Sequence, residues 1–177
     1  MQSSEIDNLT TNRKFRKGAK QVALAVGVAH LLNDAYASFL HPLLPRLMDK
    51  FGLSITLAAA LAMIFSLSSS IMQPLAGYLA DRFGRKMFVI AGPLISGMFL
   101  SLIGIVPSLS MLLLILMMGG IGSAVFHPPG AAMSARAEEG KGSGLRMSFF
   151  SCCGSLGYAV GPLFIVFLVT TVGLENM

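Results

Sequence analysis

The chain has 177 residues, of which 54% are hydrophobic and only 12% are charged, and its formal net charge is +5. Soluble globular domains are about a quarter charged, so this composition excludes an ordinary soluble domain. Uncharged runs at 53–80, 87–135 and 147–173 each exceed the roughly 20 residues that cross a bilayer core. The sequence therefore predicts an all-α polytopic membrane protein.

Five membrane-spanning helices are predicted after a basic tail at residues 1–19. The uncharged run at 87–135 is too long for one crossing, and Pro107-Ser108 provides the turn that divides it. The predicted spans, which together form a bundle over 20–177, are 20–44, 56–79, 87–106, 109–132 and 147–171.

The basic residues indicate the orientation of the bundle. Eleven of them lie before the first span or in the connections after the second and fourth spans, whereas Arg46 and Lys50 lie on the opposite side. Because cytoplasmic connections carry the excess of lysine and arginine, the N-terminus is predicted to be cytoplasmic. The same distribution explains the basic charge without nucleic-acid binding. The eleven residues are Arg13, Lys14, Arg16, Lys17, Lys20, Arg82, Arg85, Lys86, Arg136, Lys141 and Arg146.

The first span carries a polar stripe at helical spacing: Gly27, His30, Asp34, Ala37 and His41. A carboxylate near the centre of a bilayer costs at least about 2.5 kcal/mol. Asp34 is therefore expected to face the bundle interior or water. Two interpretations stay open, a functional role for Asp34 or a polar clasp that bonds it to a neighbouring helix.

Further polar positions occur in the second and fourth spans. Gln73 is followed by Pro74, which frees a backbone carbonyl beside a polar side chain. His127 is followed by two prolines that are expected to break the helix, so it is either a functional group or the cap of an interrupted helix. A stripe of serines either packs against a helix or lines a cavity, and it comprises Ser66, Ser69 and Ser70.

Small residues in the fifth span predict close helix packing. Gly154, Gly157 and Gly161 recur at spacings of three and four, and Pro162 follows as a bend point. Cys152 and Cys153 are adjacent, a spacing that rarely suits a disulfide, and they are interpreted as packing residues. No metal or other cofactor is expected.

The connection after the second span reads "GYLADRFGRK". Asp81 can pair with Arg85, Gly84 permits a tight turn, and the cations hold the connection on the cytoplasmic side. The string resembles the loop of the major facilitator superfamily, G-x-x-x-D-[RK]-x-G-[RK]-[RK]. That resemblance implies a conformational latch in which Asp81 docks against a helix of the other transporter half. The matching positions are Gly77, Asp81, Arg82, Gly84, Arg85 and Lys86.

Other strings resemble the fosmidomycin-resistance group of exporters in this superfamily: "HLLND", "QPLAGYLADR", "VFHP" and "GSLGYAVGPL". The last of them contains Gly157, Gly161 and Pro162, which match the start of a fifth-helix motif of antiporters. Leu116 stands where many drug/proton antiporters of the family have an arginine. The resemblance implies an inner-membrane antiporter that expels small drug-like or anionic molecules, such as fosmidomycin, in exchange for protons.

The residues suggest roles within such a transporter. Protonation of Asp34, with His30 one turn away, is the hypothetical coupling step, and Asn33, Gln73 and His127 are candidates for the substrate cavity. The expected partners are a small-molecule substrate, protons and the lipid bilayer. Three alternatives stay open: a truncated or scaffolding membrane protein without transport, an importer of small metabolites, and, more remotely, an intramembrane enzyme that uses the histidines.

The superfamily fold has two six-helix halves with the substrate site between them. About five helices are predicted here, part of the N-terminal half. The remaining transporter helices are therefore expected as partners, and the chain is expected to be an N-terminal fragment or a truncated product.

Overall fold

The structure is a computed structural model that describes the backbone of residues 2–136 and 143–174 and the side chains of 18–135 and 144–174. The described residues form helices and turns without a strand, which confirms the all-helical fold. The side chains of Arg13, Lys14, Arg16 and Lys17, and all of Lys141, lie outside this part. The helices are α1 (Gln2–Ala37), α2 (Leu40–Phe51), α3 (Ile55–Phe83), α4 (Arg85–Leu100), α5 (Leu109–Arg136) and α6 (Ser143–Val172).

Four helical stretches are long and apolar enough to cross a membrane: Gly18–Phe51, Ile55–Phe83, Leu109–Ala135 and Gly144–Val172. The predicted third span differs from the rest. Its helix, α4, has 16 residues, or about 24 Å at 1.5 Å per residue, and turns occupy residues 101–105. Ser108 then starts α5, because its hydroxyl accepts a hydrogen bond from the Met111 amide at 3.3 Å.

The predicted first span is interrupted between α1 and α2. Ser38 donates its hydroxyl hydrogen to the Ala35 carbonyl at 2.7 Å, and the Phe39 amide bonds to the Tyr36 carbonyl at 3.1 Å, a tighter turn than an α-helix has. Pro42 explains the interruption, since it has no N–H for the carbonyl of Ser38 and its ring crowds that carbonyl.

The expected break at the prolines after His127 is wrong. Pro128 and Pro129 lie inside α5, which continues to Arg136. The neighbouring helix accommodates the Pro128 ring, because a Cβ built on Gly77 of α3 would lie 3.4 Å from the Pro128 Cβ. Packed neighbours and local adjustments commonly maintain proline-containing helices in membranes.

Glycines bring α5 close to the helices on either side of it. A Cβ built on Gly120 would overlap the Ser68 hydroxyl of α3, and one on Gly122 would lie 2.5 Å from the Ser96 amide nitrogen of α4. On the other side of the bundle, α1 packs along α6. The polar face of α1 is thereby enclosed between α5 and α6.

Candidate proton and substrate site

The contact between α1 and α6 is formed by the glycines that the sequence singled out. A Cβ on Gly157 would lie 2.9 Å from the Leu31 carbonyl carbon, and one on Gly161 would lie 2.9 Å from the Ala35 Cα. Since side chains do not tolerate such distances, the two backbones meet only because these positions are glycine. We call Gly154, Gly157 and Gly161, with the α1 residues they contact, the seam. Pro162 lies inside α6, which continues to Val172.

His30 is held within this seam. Its ring is buried and stacks on Phe150 of α6 with 3.9 Å between ring centroids. Its Nδ1 lies 2.8 Å from the Phe150 carbonyl oxygen. Because a carbonyl oxygen only accepts, His30 Nδ1 carries the hydrogen of this bond. The other nitrogen, Nε2, lies 3.2 Å from Asp34 Oδ2.

His127 approaches the same carboxylate from α5. Its Nδ1 lies 2.9 Å from the Ser123 carbonyl oxygen, so this nitrogen also carries a hydrogen. Its Nε2 lies 3.1 Å from Asp34 Oδ1. The two carboxylate oxygens of Asp34 therefore each face the Nε2 of a different histidine. We call His30, Asp34 and His127 the triad.

Asn33 fixes the carboxylate from beside it. The side chain is fully buried, and its Nδ2 donates to Asp34 Oδ1 at 3.0 Å and to the Ser123 hydroxyl at 3.2 Å. The Asn33 Oδ1 has no hydrogen-bond partner among the described residues. The amide thus orients Asp34 and bridges α1 to α5.

The triad has the donor set of either a proton site or a metal site. One ligating atom from each of the three side chains lies within 4.8 Å of the others. The separations of 3.1 and 3.2 Å between Nε2 and carboxylate oxygen are those of hydrogen bonds. The three side chains are thus close enough to share protons directly.

A cavity of about 350 Å³ opens beside the triad. Asp34 and His127 lie on its wall, as do two hydroxyl residues, Ser123 of α5 and Tyr158 of α6. The predicted serine stripe of α3 also faces the cavity. The remaining wall residues are Ala37, His41, Ala62, Phe65, Ser66, Ser69 and Ser70.

Two further residues of the predicted polar stretches lie away from the described cavity wall. Gln73 is half-buried on α3 but is not among the described residues that form the cavity wall. Gly27 shares the stripe of Asp34 but faces α6, where a Cβ would lie 2.5 Å from a ring carbon of Phe149.

The connection between α3 and α4 holds a local ion pair. Arg85 donates to Asp81 Oδ1 through Nε at 2.8 Å and through Nη2 at 2.5 Å, while 62% of the Asp81 side chain is exposed. Gly84 joins the helices at φ +101°, a backbone conformation that side chains rarely adopt. The Arg82 guanidinium lies 5.6 Å from the Phe83 ring centroid, and Lys86 is exposed.

Comparison with known proteins identifies the family. Residues 26–177 match the Major Facilitator Superfamily. The chain belongs to the Major Facilitator Superfamily. This confirms the family predicted from the loop after the second span, and it groups the chain with membrane transporters rather than with enzymes.

Among curated superfamily members, the chain is 30% identical to the fosmidomycin resistance protein of Escherichia coli (strain K12) over 153 residues, 86% of this chain and 37% of the relative. It is 31% identical to multidrug resistance protein 1 of Bacillus subtilis (strain 168) over 137 residues, 75% of this chain and 35% of the relative. The predicted resemblance to the fosmidomycin-resistance group is thus confirmed. The chain spans little more than a third of the length of these relatives.

Three contributors to the site were not predicted from the sequence. Ser123 precedes His127 by four residues, and Tyr158 follows Gly154 by four, so helical spacing could have indicated both. Phe150 contributes a backbone carbonyl and an aromatic face to His30. No sequence pattern marks that contact, because it depends on the register of α6 against α1.

Proposed function

We propose that this chain forms part of a secondary transporter that exports small molecules in exchange for protons, with Asp34 as the proton-binding group. The observation that carries the proposal is one carboxylate bonded to two histidines on the wall of a cavity. Family membership supports transport, and the triad supplies three ionisable side chains that hydrogen bond to one another.

The coupling step follows from the bonds that Asp34 makes. As a carboxylate it accepts hydrogen bonds from His30, His127 and Asn33, which ties α1 to α5. A proton on Asp34 removes its charge and weakens these bonds. Proton binding and the separation of α1 from α5 are thereby linked, as alternating access requires.

The proposed substrates are small anionic or drug-like molecules. The cavity wall offers hydroxyl groups and a histidine donor as well as apolar surface from Ala62 and Phe65. The names of the relatives, which refer to fosmidomycin and multidrug resistance, support this class of substrate. We place the protein in the inner membrane with its N-terminus in the cytoplasm, since the positive-inside rule favours that orientation.

The proposed latch is Asp81 with its loop. In the described residues Asp81 pairs with Arg85 on the adjacent helix turn, and its exposure leaves it accessible to a helix of the second transporter half. The remaining transporter helices are therefore proposed partners, together with the lipid bilayer.

The test uses the whole native protein in inside-out membrane vesicles. We expect fosmidomycin or a multidrug substrate to accumulate in the vesicles when a proton gradient is imposed, and we expect Asp34→Asn to abolish that accumulation. Asp49→Asn is the matched control, because Asp49 is exposed on α2. Absence of gradient-driven movement in the unsubstituted protein would favour a scaffold, and movement in the opposite direction would favour an importer.

A further inference from the structure

The two hydrogen bonds of the triad require two protons. His30 Nδ1 faces the Phe150 carbonyl at 2.8 Å. His127 Nδ1 faces the Ser123 carbonyl at 2.9 Å and the Ser123 hydroxyl at 3.3 Å. With the hydrogen of each ring on Nδ1 for the shorter carbonyl contact, the Nε2 of a neutral ring is a lone pair. A lone pair facing a carboxylate oxygen at 3.1 or 3.2 Å is repulsive unless a hydrogen lies between them. Two such contacts need two hydrogens shared by one carboxylate and two imidazoles. With both hydrogens present, the formal charges of the closed triad sum to +1, and this is the protonation state on which the inference rests.

The two histidines hold these protons in different settings. The His30 side chain is 9% exposed, bonds across to the Phe150 carbonyl of α6 and packs behind Gly154. The His127 side chain is 27% exposed and lies on the cavity wall. Its Nδ1 contacts run within its own helix, to the carbonyl and the hydroxyl of Ser123, so within the described residues no other helix holds the ring through that nitrogen.

We propose that His127 is the exchanging partner of Asp34 and that His30 is its fixed partner. When the contact between α1 and α5 opens, one proton stays between His30 and Asp34, and the other leaves with His127 as the Nε2–H of an imidazolium. An anionic oxygen of the substrate then accepts that hydrogen in place of Asp34 Oδ1. A monoanion balances the positive charge that the imidazolium brings to the cavity.

Every helix around the cavity contributes polar groups near this exchange. His41 of α2 and Tyr158 of α6 are the titratable wall residues besides Asp34 and His127 in the described part of the chain. On α3 the wall groups are serine hydroxyls, which donate hydrogen bonds without titrating. The exchange is thus centred on His127, where a substrate oxygen meets an imidazole hydrogen that Asp34 has released.

The experiment compares the same substitution at both histidines in the whole native protein. His127→Gln removes the imidazole that faces Asp34, and we expect the midpoint of the pH profile of export to shift, with a smaller fall in melting temperature than His30→Gln gives. His30→Gln removes the bond to Phe150 and the ring stacking, and we expect a fall of about 4 °C in melting temperature with the midpoint of the pH profile unchanged.

His30→Asn provides a second test in case His30→Gln does not fold. In His30→Asn the amide nitrogen occupies the Nδ1 position and can still donate to the Phe150 carbonyl, so we expect it to recover part of the lost melting temperature. The inference is overturned if His30→Gln or His30→Asn shifts the pH midpoint while His127→Gln does not, or if both positions behave alike.

This inference rests on the proposed function, and the two fail in different ways. If Asp34→Asn leaves transport unchanged, proton coupling through Asp34 is wrong and the proposed function fails with it. If Asp34→Asn abolishes transport but the variants of His30 and His127 do not differ in pH midpoint and melting temperature as described, only the assignment of His127 as the exchanging partner is overturned.

Discussion

The seam between α1 and α6 and the connection between α3 and α4 both depend on glycine, for opposite reasons. In the seam, Gly157 adopts a helical backbone, and a side chain is excluded because the Leu31 backbone occupies its place. In the connection, the space around Gly84 is open, but its φ of +101° is unfavourable for any side chain. The first constraint comes from a neighbouring helix and the second from the local chain. Substitutions at the two sites should therefore have different consequences for the triad.

The largest effect is expected for Gly157→Ala. The added Cβ forces α1 and α6 apart, and overpacking of this kind costs about 1–3 kcal/mol. Because His30 bonds to Phe150 across the same contact, the triad should loosen as well. Thermal unfolding in detergent measures the loss. Gly144→Ala on α6 is the control, since its Cβ would meet nothing within 4 Å, and equal melting of both variants would contradict the described seam.

Gly84→Asn should have a purely local effect in the range of about 1–3 kcal/mol that backbone strain costs. Its total effect should be smaller than that of Gly157→Ala, because it leaves the triad intact. Gly52→Asn is the matched comparison, because Gly52 ends α2 with φ 63° and ψ 38°, a left-handed conformation that asparagine tolerates. Melting temperatures should therefore fall for Gly84→Asn and change little for Gly52→Asn. The reverse order would show that the α3–α4 connection is not constrained by its backbone.

The smallest change in stability is expected for Asp81→Asn. The pair with Arg85 lies on an exposed helix end, and such pairs contribute about 0.3–0.5 kcal/mol. If the loop acts as a latch in the whole transporter, the same variant should slow transport several-fold while its melting temperature stays within error. Unchanged transport would remove Asp81 from the proposed latch.

The same contrast explains what the sequence could predict. Features that depend on spacing along one helix were predicted correctly, including the glycines that form the seam and the turn before Ser108. The stripe of α1 placed His30 and Asp34 on one face. Patterns of this kind follow from helical geometry alone.

Contacts that depend on the packing of one helix against another were not predicted from the sequence. His127 bonds to Asp34 across 93 positions of the chain, and only the packing of α5 against α1 brings them together. The prolines after His127 were expected to end α5, but neighbouring helices stabilise it. Gln73 stays a prediction for the substrate cavity, since it lies beyond Ser70 on α3 and is not among the described residues of this cavity wall.

Proton coupling in the proposed transporter depends most on Asp34, which binds the exchanged proton. The most direct measurement is the pH change outside vesicles that contain the whole native protein when substrate is added without an imposed gradient. We expect substrate-dependent proton movement with the unsubstituted protein and with Asp49→Asn, and none with Asp34→Asn. Proton movement that persists in Asp34→Asn would contradict the account and assign coupling to another group.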